Sequence, residues 1–218
     1  GRQHDFVPLP PRAQKCAEAP SKPGSCGKAI AYDMVSYFES AVEKYTELTG
    51  LEKLRKVPTP FCPEGSLHPR DDEESGQLAG KACSQLMTNL WLARLSRPDI
   101  IKPICDLATN VQCWTVNCDK QLHRLICYLD SSRDFKLTGY VNDDLKELEL
   151  RLFVDADFAG DSGNARSTSG GYLVLWGPHT YYPLMWLSKR QAAPTMFTNR
   201  DVFLKATATF SRKMAVQF

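Results

Sequence analysis

Asp155, Asp157 and Asp161 stand in the spacing D-x-D-x-x-x-D at the end of an alternating apolar run, Leu148 to Val154. Carboxylates crowded this closely repel one another unless a hard cation lies between them, and Mg²⁺ takes one or two carboxylates together with phosphate oxygens. The chemistry such a pattern would serve is phosphodiester hydrolysis, with metal ions activating a water and stabilising the leaving oxygen. Aspartates also favour strand ends and turns, and on spacing alone an ordinary turn is the simpler reading. A calcium loop is a poorer one, because Ala159 stands at its fifth position and Arg166, not glutamate, at its twelfth.

A second constellation, Cys113-x4-Cys118-x4-His123-x3-Cys127, has the residue types of a metal site. Its first cysteine gap is long, no glycine permits a tight turn, and His123 and Cys127 share a helical run with the leucines of a core face. Zinc is therefore not expected, and buried free thiols are the reading preferred. Cys16, Cys26, Cys62, Cys83 and Cys105 show no tight pairing. Without a secretory signal or an N-x-S/T acceptor, reduced cysteines are expected in place of a disulfide framework. Trp91, Trp114, Trp176 and Trp186 lie in or beside apolar runs, so core packing is expected before base stacking.

A strand must hold the aspartates. Leu148, Leu150, Leu152 and Val154 share one face of it and Glu149, Arg151, Phe153 and Asp155 the other, so Asp155 points away from the leucines. Tyr172 to Trp176 and Tyr181 to Leu187, separated by Gly177-Pro178-His179, read as the next two strands of a meander. After Pro194 the apolar period is helical, through Phe203, Ala206, Phe210 and Met214.

Upstream, residues 1–28 carry proline, glycine, lysine and serine without an apolar period and are expected to form an extended arm. Met34, Val35, Phe38, Val42, Tyr45 and Leu48 predict an amphipathic helix stopped by Gly50, and the proline-rich Val57 to Arg70 an irregular connector. The acidic run Asp71 to Glu74 is placed at a helix N-terminus ahead of Leu78, Ala82, Leu86, Leu90 and Leu95. Pro98 starts a further helix through Ile100, Ile101, Ile104, Leu107, Ala108 and Val111, and Lys120 to Leu129 forms another. Gly139 to Asp144 reads as a polar turn. The expected organisation is an arm and amphipathic helix over residues 1–56, a helical connection over 57–147 and a strand-rich part over 148–218, a mixed α and β fold.

The 218 residues suffice for one large domain or two small ones. With 27 basic and 25 acidic residues, the net charge of +2 names no partner, so a nucleic-acid claim must rest on local patches. No apolar run approaches the ~20 residues of a membrane span, and the opening GRQHDFVPLPPR lacks the apolar stretch of a signal peptide. A soluble intracellular chain, cytoplasmic or nuclear, without membrane contact is expected.

The ordered segments VDADFAGD, RSTSGGYLVLWG and PLMWLSKRQ resemble the ribonuclease H region of copia-type LTR-retrotransposon polyproteins, whose pattern runs roughly D-A-D-W-A-G-D, R-S-T-S-G-Y and W-x-S-K-x-Q. ARLSRPDI at Ala93 to Ile100 and the helix ending Tyr128-Leu129 resemble the connection between the reverse transcriptase and ribonuclease H parts of the same polyproteins. The resemblance covers Val57 to Gln191. It implies a helical connection followed by a partial ribonuclease H-like fold, a three-stranded meander plus a helix, and an ancestral metal-dependent hydrolysis of RNA in RNA–DNA hybrids. It implies Mg²⁺ or Mn²⁺ as cofactor, and as partners a hybrid or other nucleic acid and the rest of the polyprotein. By the same resemblance Asp155 is the first-strand metal ligand, Asp157 and Asp161 occupy family positions near it, and Lys189 and Arg190 suit phosphate contact, which positions without reading sequence.

Departures are as informative. After Gln191 the family continues into a helix with a T-E-A-E-Y-like segment that supplies the second acid, whereas Pro194 to Phe203 contains no glutamate. Asp201 falls close to the expected place and is the available substitute, one methylene shorter. A fourth-strand aspartate would fall beyond Phe218, so a truncated or frameshifted copy, inactive alone, is expected. Tyr140-Val141-Asn142-Asp143-Asp144 imitates the Y-x-D-D box of reverse transcriptases, but with one residue too many and on the wrong side of the connection, and reads as a turn. An enzyme with an incomplete acidic site and a non-catalytic nucleic-acid-binding or scaffolding piece both stay open from sequence.

Overall fold

Gly50 ends the first helix as its residue type demands. The computed structural model describes residues 28–157 and 168–190. In it, helix α1 (Val35–Thr49) closes on Gly50 in the left-handed region, φ 70°, with its N–H donating to the Thr46 carbonyl at 2.7 Å. One side of α1 buries Phe38, Ala41 and Tyr45, spaced three and four apart, and that side needs helical partners.

The partners are α2 (Ala82–Leu95), α3 (Ile101–Ala108) and α4 (Val116–Ser131). Leu86, Leu92, Ile104, Leu107, Leu122, Leu125, Ile126 and Leu129 are fully buried and form the core. Thr115 caps α4, its hydroxyl accepting from the Cys118 N–H. These helices belong to one compact unit, Tyr32–Leu137, which includes α1.

The acidic run does not open α2. Asp71 and Asp72 lie in a short 3₁₀ turn, Pro69–Asp72, and α2 begins only at Ala82. A tertiary clamp overrides local propensity here. The Gly76 N–H donates to the Trp114 carbonyl at 3.0 Å, and the Asp119 carboxylate accepts from the N–H groups of Gln77 and Leu78 and from Trp114 Nε1. Asp71 pairs with Lys120, and Asp72 accepts from the Thr115 hydroxyl. The loop's polar groups are therefore spent on α4, and the extra residues keep α2 from starting earlier.

Arg97 ties the end of α2 to α4. Its guanidinium, 2 % exposed, donates to both carboxylate oxygens of Asp99 and to the carbonyl and hydroxyl of Ser132, and lies 5.2–5.3 Å from the ring centres of Phe38, Tyr128 and Phe135. The Tyr128 hydroxyl donates to the same Asp99. Trp114 and Trp176 are buried, as expected, but Trp91 is 54 % exposed beside exposed Met87. The reason is that α2 turns Ala82, Gln85, Leu86, Asn89, Leu92 and Ala93 inward, which puts position 91 outside.

The second unit comprises, of the described residues, 28–31, 138–157 and 168–190. Its sheet has the order β1-β2-β5-β4-β3, built from β1 (Lys28–Tyr32), β2 (Leu137–Val141), β3 (Glu149–Asp157), β4 (Thr168–Trp176) and β5 (Tyr181–Arg190). The pairs β3–β4, β4–β5 and β2–β5 are antiparallel. The expected meander of three strands is present within a sheet of five. Lys28 belongs to a strand and not to the arm, and the turn foreseen at Gly139 to Asp144 begins as strand β2. Gly139 is needed there, because a Cβ would sit 2.8 Å from Cε2 of the Tyr182 ring. Pro183, which cannot donate, is accommodated in the central strand β5 by a bulge: Leu173 pairs with Met185 and Val174 with Pro183. The helix foreseen after Pro194 lies outside the described residues. No helix among the described residues is long and apolar enough to cross a membrane.

Candidate functional site

Register decides which residues share the face of Asp155. Across the meander, Phe153 pairs with Tyr172 and Tyr172 with Trp186, while Glu149 pairs with Trp176 and Trp176 with Tyr181. Val174, Trp176 and Tyr181 form a buried cluster with Phe153 and Tyr172 packed against it. Tyr172 stacks on Trp186 at 6.2 Å, and Trp176 meets Tyr181 edge-on at 5.8 Å. Arg151 joins this aromatic face, its guanidinium 4.5 Å above the Trp176 ring and paired with Glu149. On the opposite face Leu150, Leu152, Val154, Leu173 and Leu175 are half-buried, and Met185 and Leu187 are exposed. The face carrying Asp155 is thus the better packed of the two.

Asp155 is exposed at the end of this face. Its register partner is Gly170, and the partner of Gly170 on β5 is Ser188, so the three form one row across the strands. A Cβ at Gly170 would meet only the Asp155 carbonyl oxygen, at 3.7 Å, so the middle of the row is a notch without a side chain. The Ser188 hydroxyl oxygen is buried and has no hydrogen-bond partner. The next row is Asp157, Thr168 and Arg190. Asp157 is placed by its backbone pairing alone, and Asp161 and Asp201 lie outside the described residues. Lys189, exposed, pairs with Ser169 and belongs to the other face, so the sheet brings Arg190 to the side of Asp155 and sets Lys189 apart from it.

Asp155 supplies an oxygen donor of the type Mg²⁺ and Mn²⁺ prefer, and the Ser188 hydroxyl, two strands away, lies too far off to share an ion with it. Ser188 and Gly170 escaped sequence reasoning because their relation to Asp155 passes through two strand pairings; counting register outward from the turn at Gly177 is the signal that brings Gly170 and Ser188 together.

The other candidates serve structure. Asp143 accepts from the His179 N–H at 2.7 Å, and the Thr180 hydroxyl accepts from the N–H groups of Asn142 and Asp143, so the Y-x-D-D imitation buttresses the β4–β5 turn. Of the cysteine–histidine series, Cys113 is exposed, Cys118 is buried, and His123 and Cys127 touch, Nε2 to Sγ 3.5 Å. The other ring nitrogen, Nδ1, bonds the Tyr45 hydroxyl at 3.1 Å. Burial lowers the His123 pKa and raises those of Cys127 and Tyr45, so all three are neutral near pH 7 and Cys127 is a thiol, not a nucleophilic thiolate. All six described cysteines are free. Among the described residues no three histidine, cysteine or acidic side chains converge on a point. No family model, curated protein or solved structure matches the chain.

Proposed function

We propose that this chain is a piece of a copia-like retroelement polyprotein, a reverse transcriptase connection followed by the first part of a ribonuclease H-like domain. Its ancestral activity is hydrolysis of RNA in RNA–DNA hybrids, and the chain alone does not perform it. The observation that carries the reading is the order of the motifs around Asp155: VDAD ends β3, TSGGYLVLW makes β4 and WLSKR ends β5, so the three resembling segments form one meander with the acid at its end.

Asp155 would hold the metal ion, with the Gly170 notch beside it. A bound Mg²⁺ or Mn²⁺ supplies charge that neutralises a phosphate and lowers the pKa of a water. The protein's own part is to fix the carboxylate on a rigid strand, which the aromatic cluster behind Phe153 does, and to offer Arg190 on the same face as a phosphate contact. Pro194 to Phe203 carries no glutamate, and Asp201 is the acid it offers where the second ligand is expected, which is why inactivity alone is expected.

Purified chain incubated with a labelled RNA–DNA hybrid and Mg²⁺ or Mn²⁺ should leave the RNA intact. Metal-dependent cleavage that Asp155→Asn abolishes would overturn the inactivity. The second reading, a nucleic-acid-binding piece without chemistry, draws support from exposed Lys189 and from Arg190 at the same end of β5. It requires hybrid binding that weakens steeply with salt and survives Asp155→Asn.

A further inference from the structure

The two edges of the sheet differ in character. β1, at one end of the strand order, is five residues long and opens with Lys28, and short length and lysine both blunt an edge. β3, at the other end, is nine residues long and pairs with β4 without a bulge from Glu149↔Trp176 to Asp157↔Thr168. It contains neither proline nor lysine. None of residues 149–155 is buried, whereas β4 and β5 bury Val174, Trp176, Tyr181 and Pro183. Among the described residues no strand lies beyond β3. A long outer row of backbone N–H and C=O groups is a template for another strand.

The side chains of β3 determine which strand fits. In an antiparallel pair only alternate residues direct N–H and C=O toward the partner, so β3 can meet a second β3 only in registers centred on a residue. Facing residues then lie on the same side of the joined sheet. Centred on Phe153, the ladder uses all nine residues and sets Arg151 opposite Asp155 at both symmetric places, with Leu152 opposite Val154. Its like-charge pair, Glu149 against Asp157, falls at the ends of the ladder, and Glu149 is already neutralised by Arg151 of its own chain. Centring on Leu152 sets Glu149 against exposed Asp155, centring on Arg151 sets two guanidinium groups together, and centring on Val154 shortens the ladder to residues 151–157. We propose that β3 is a self-association edge, where a second copy of this chain pairs antiparallel in the register centred on Phe153 and the Arg151 guanidinium of each copy faces the Asp155 carboxylate of the other. The two-fold axis closes the assembly at two copies. It joins Leu150, Leu152 and Val154 of both copies into one apolar face. The contact needs neither metal nor nucleic acid, and it engages the carboxylate that the proposed function gives to a metal ion.

The test is sedimentation equilibrium of the full chain over a wide range of concentrations, with circular dichroism confirming that each variant is folded. The weight-average mass of the wild type should rise from one chain toward two. Asp155→Arg sets like charges together at both places, as does Arg151→Asp, and each should weaken association roughly tenfold. Mixed in equal amounts, these two variants should associate with each other about as tightly as the wild type does with itself, because each copy then meets its complement at both places. If Arg151→Asp fails to fold, Asp155→Asn decides in its place: it removes the attraction without adding repulsion and should weaken association less than Asp155→Arg. A wild type that stays a single chain at every concentration, or grows beyond two, overturns the pairing. Association indifferent to Asp155→Arg, failure of the two folded variants to rescue each other, or equal losses in Asp155→Asn and Asp155→Arg overturn it as well.

Discussion

Replacing Arg97 by methionine should cost the helical unit about 3 kcal/mol, by the following balance. Methionine retains the volume and apolar contacts of the side-chain stem, so little packing is lost. What disappears is the fork on Asp99, at 2.8 and 2.6 Å, the bonds to the Ser132 carbonyl and hydroxyl, at 3.0 and 2.8 Å, and the charge facing three aromatic rings. Removing one member of a buried pair typically costs ~3–5 kcal/mol, because the partner's charge is left behind. Asp99 is 36 % exposed and keeps water on part of its carboxylate, which reduces that figure. Against this, the Ser132 carbonyl in a buried residue loses its guanidinium donor, worth ~1–3 kcal/mol.

Urea unfolding followed by far-ultraviolet circular dichroism is the assay, since every α-helix among the described residues belongs to this unit. With a slope of about 1–3 kcal/mol per molar urea, the midpoint should fall by roughly 1–3 M. Arg97→Lys should fall almost as far, because an ammonium cannot engage Asp99 and Ser132 through one planar fork. A midpoint within ~0.3 M of wild type for Arg97→Met, or full retention in Arg97→Lys, would refute the argument that this guanidinium ties α2 to α4.

Gly76→Ala should lower the melting temperature of the same unit at a cost of about 1–3 kcal/mol, since a Cβ there would lie 2.5 Å from the Thr115 carbonyl oxygen, 2.7 Å from Trp114 Cδ1 and 2.8 Å from the Asp119 carboxylate; an unchanged melt would show that the loop clamp is not rigid. The pH dependence of the urea midpoint should have two flanks of opposite sign, both caused chiefly by burial. Burial holds the His123 pKa below its usual 6.5, so the unfolded chain takes up a proton that the folded one refuses; this contribution is intact above pH 6.5 and is lost as pH falls through the folded value. The Tyr128 phenol is pushed up to about 12 by burial and then by Asp99, so its contribution is intact below pH 10 and is lost as pH rises toward 12. His123→Gln should flatten the region just below pH 6.5 and Tyr128→Phe the alkaline flank, and flanks unaltered in these variants would assign the dependence to other groups.

Where local pattern and tertiary contact agreed, the chain was legible. Phe38, Ala41 and Tyr45 lie inward on α1 as the helical period requires, Gly50 stops it, and the alternation from Leu148 places Asp155 opposite the leucines. The misreadings have a common cause, which is that distant partners outbid local preference. Asp71 to Glu74 look like the start of a helix until Asp119, more than forty residues on, captures the N–H groups of Gln77 and Leu78. Trp91 looks like core inside the apolar run Leu90 to Ala93, and only the choice of Gln85 and Asn89 as inward residues turns it out. Strand β2, LTGYV, is too short and too polar to announce itself, and its glycine makes sense only beside Tyr182.

The leucine alternation also invites the assumption that Leu148 to Val154 face the core and that the Glu149–Arg151–Phe153–Asp155 side faces water. The packing among described residues runs the other way, because Tyr172, Val174, Trp176 and Tyr181 converge on Phe153 and give Arg151 an aromatic bed. The consequence bears on chemistry. A carboxylate at the end of a well-packed aromatic face is held by a stiff strand, whereas the same residue at the end of a half-exposed leucine face would move with it. The residues placed beside Asp155, namely Gly170, Ser188 and Arg190, come from two other strands, and no motif spacing within one segment can display them. A site assembled by register is therefore read from the strand pairings, and the β5 bulge at Leu184 takes part in it: if Leu184 paired regularly with Leu173 in place of bulging, every position from Met185 to Arg190 would exchange faces, and Lys189 would stand where Arg190 does.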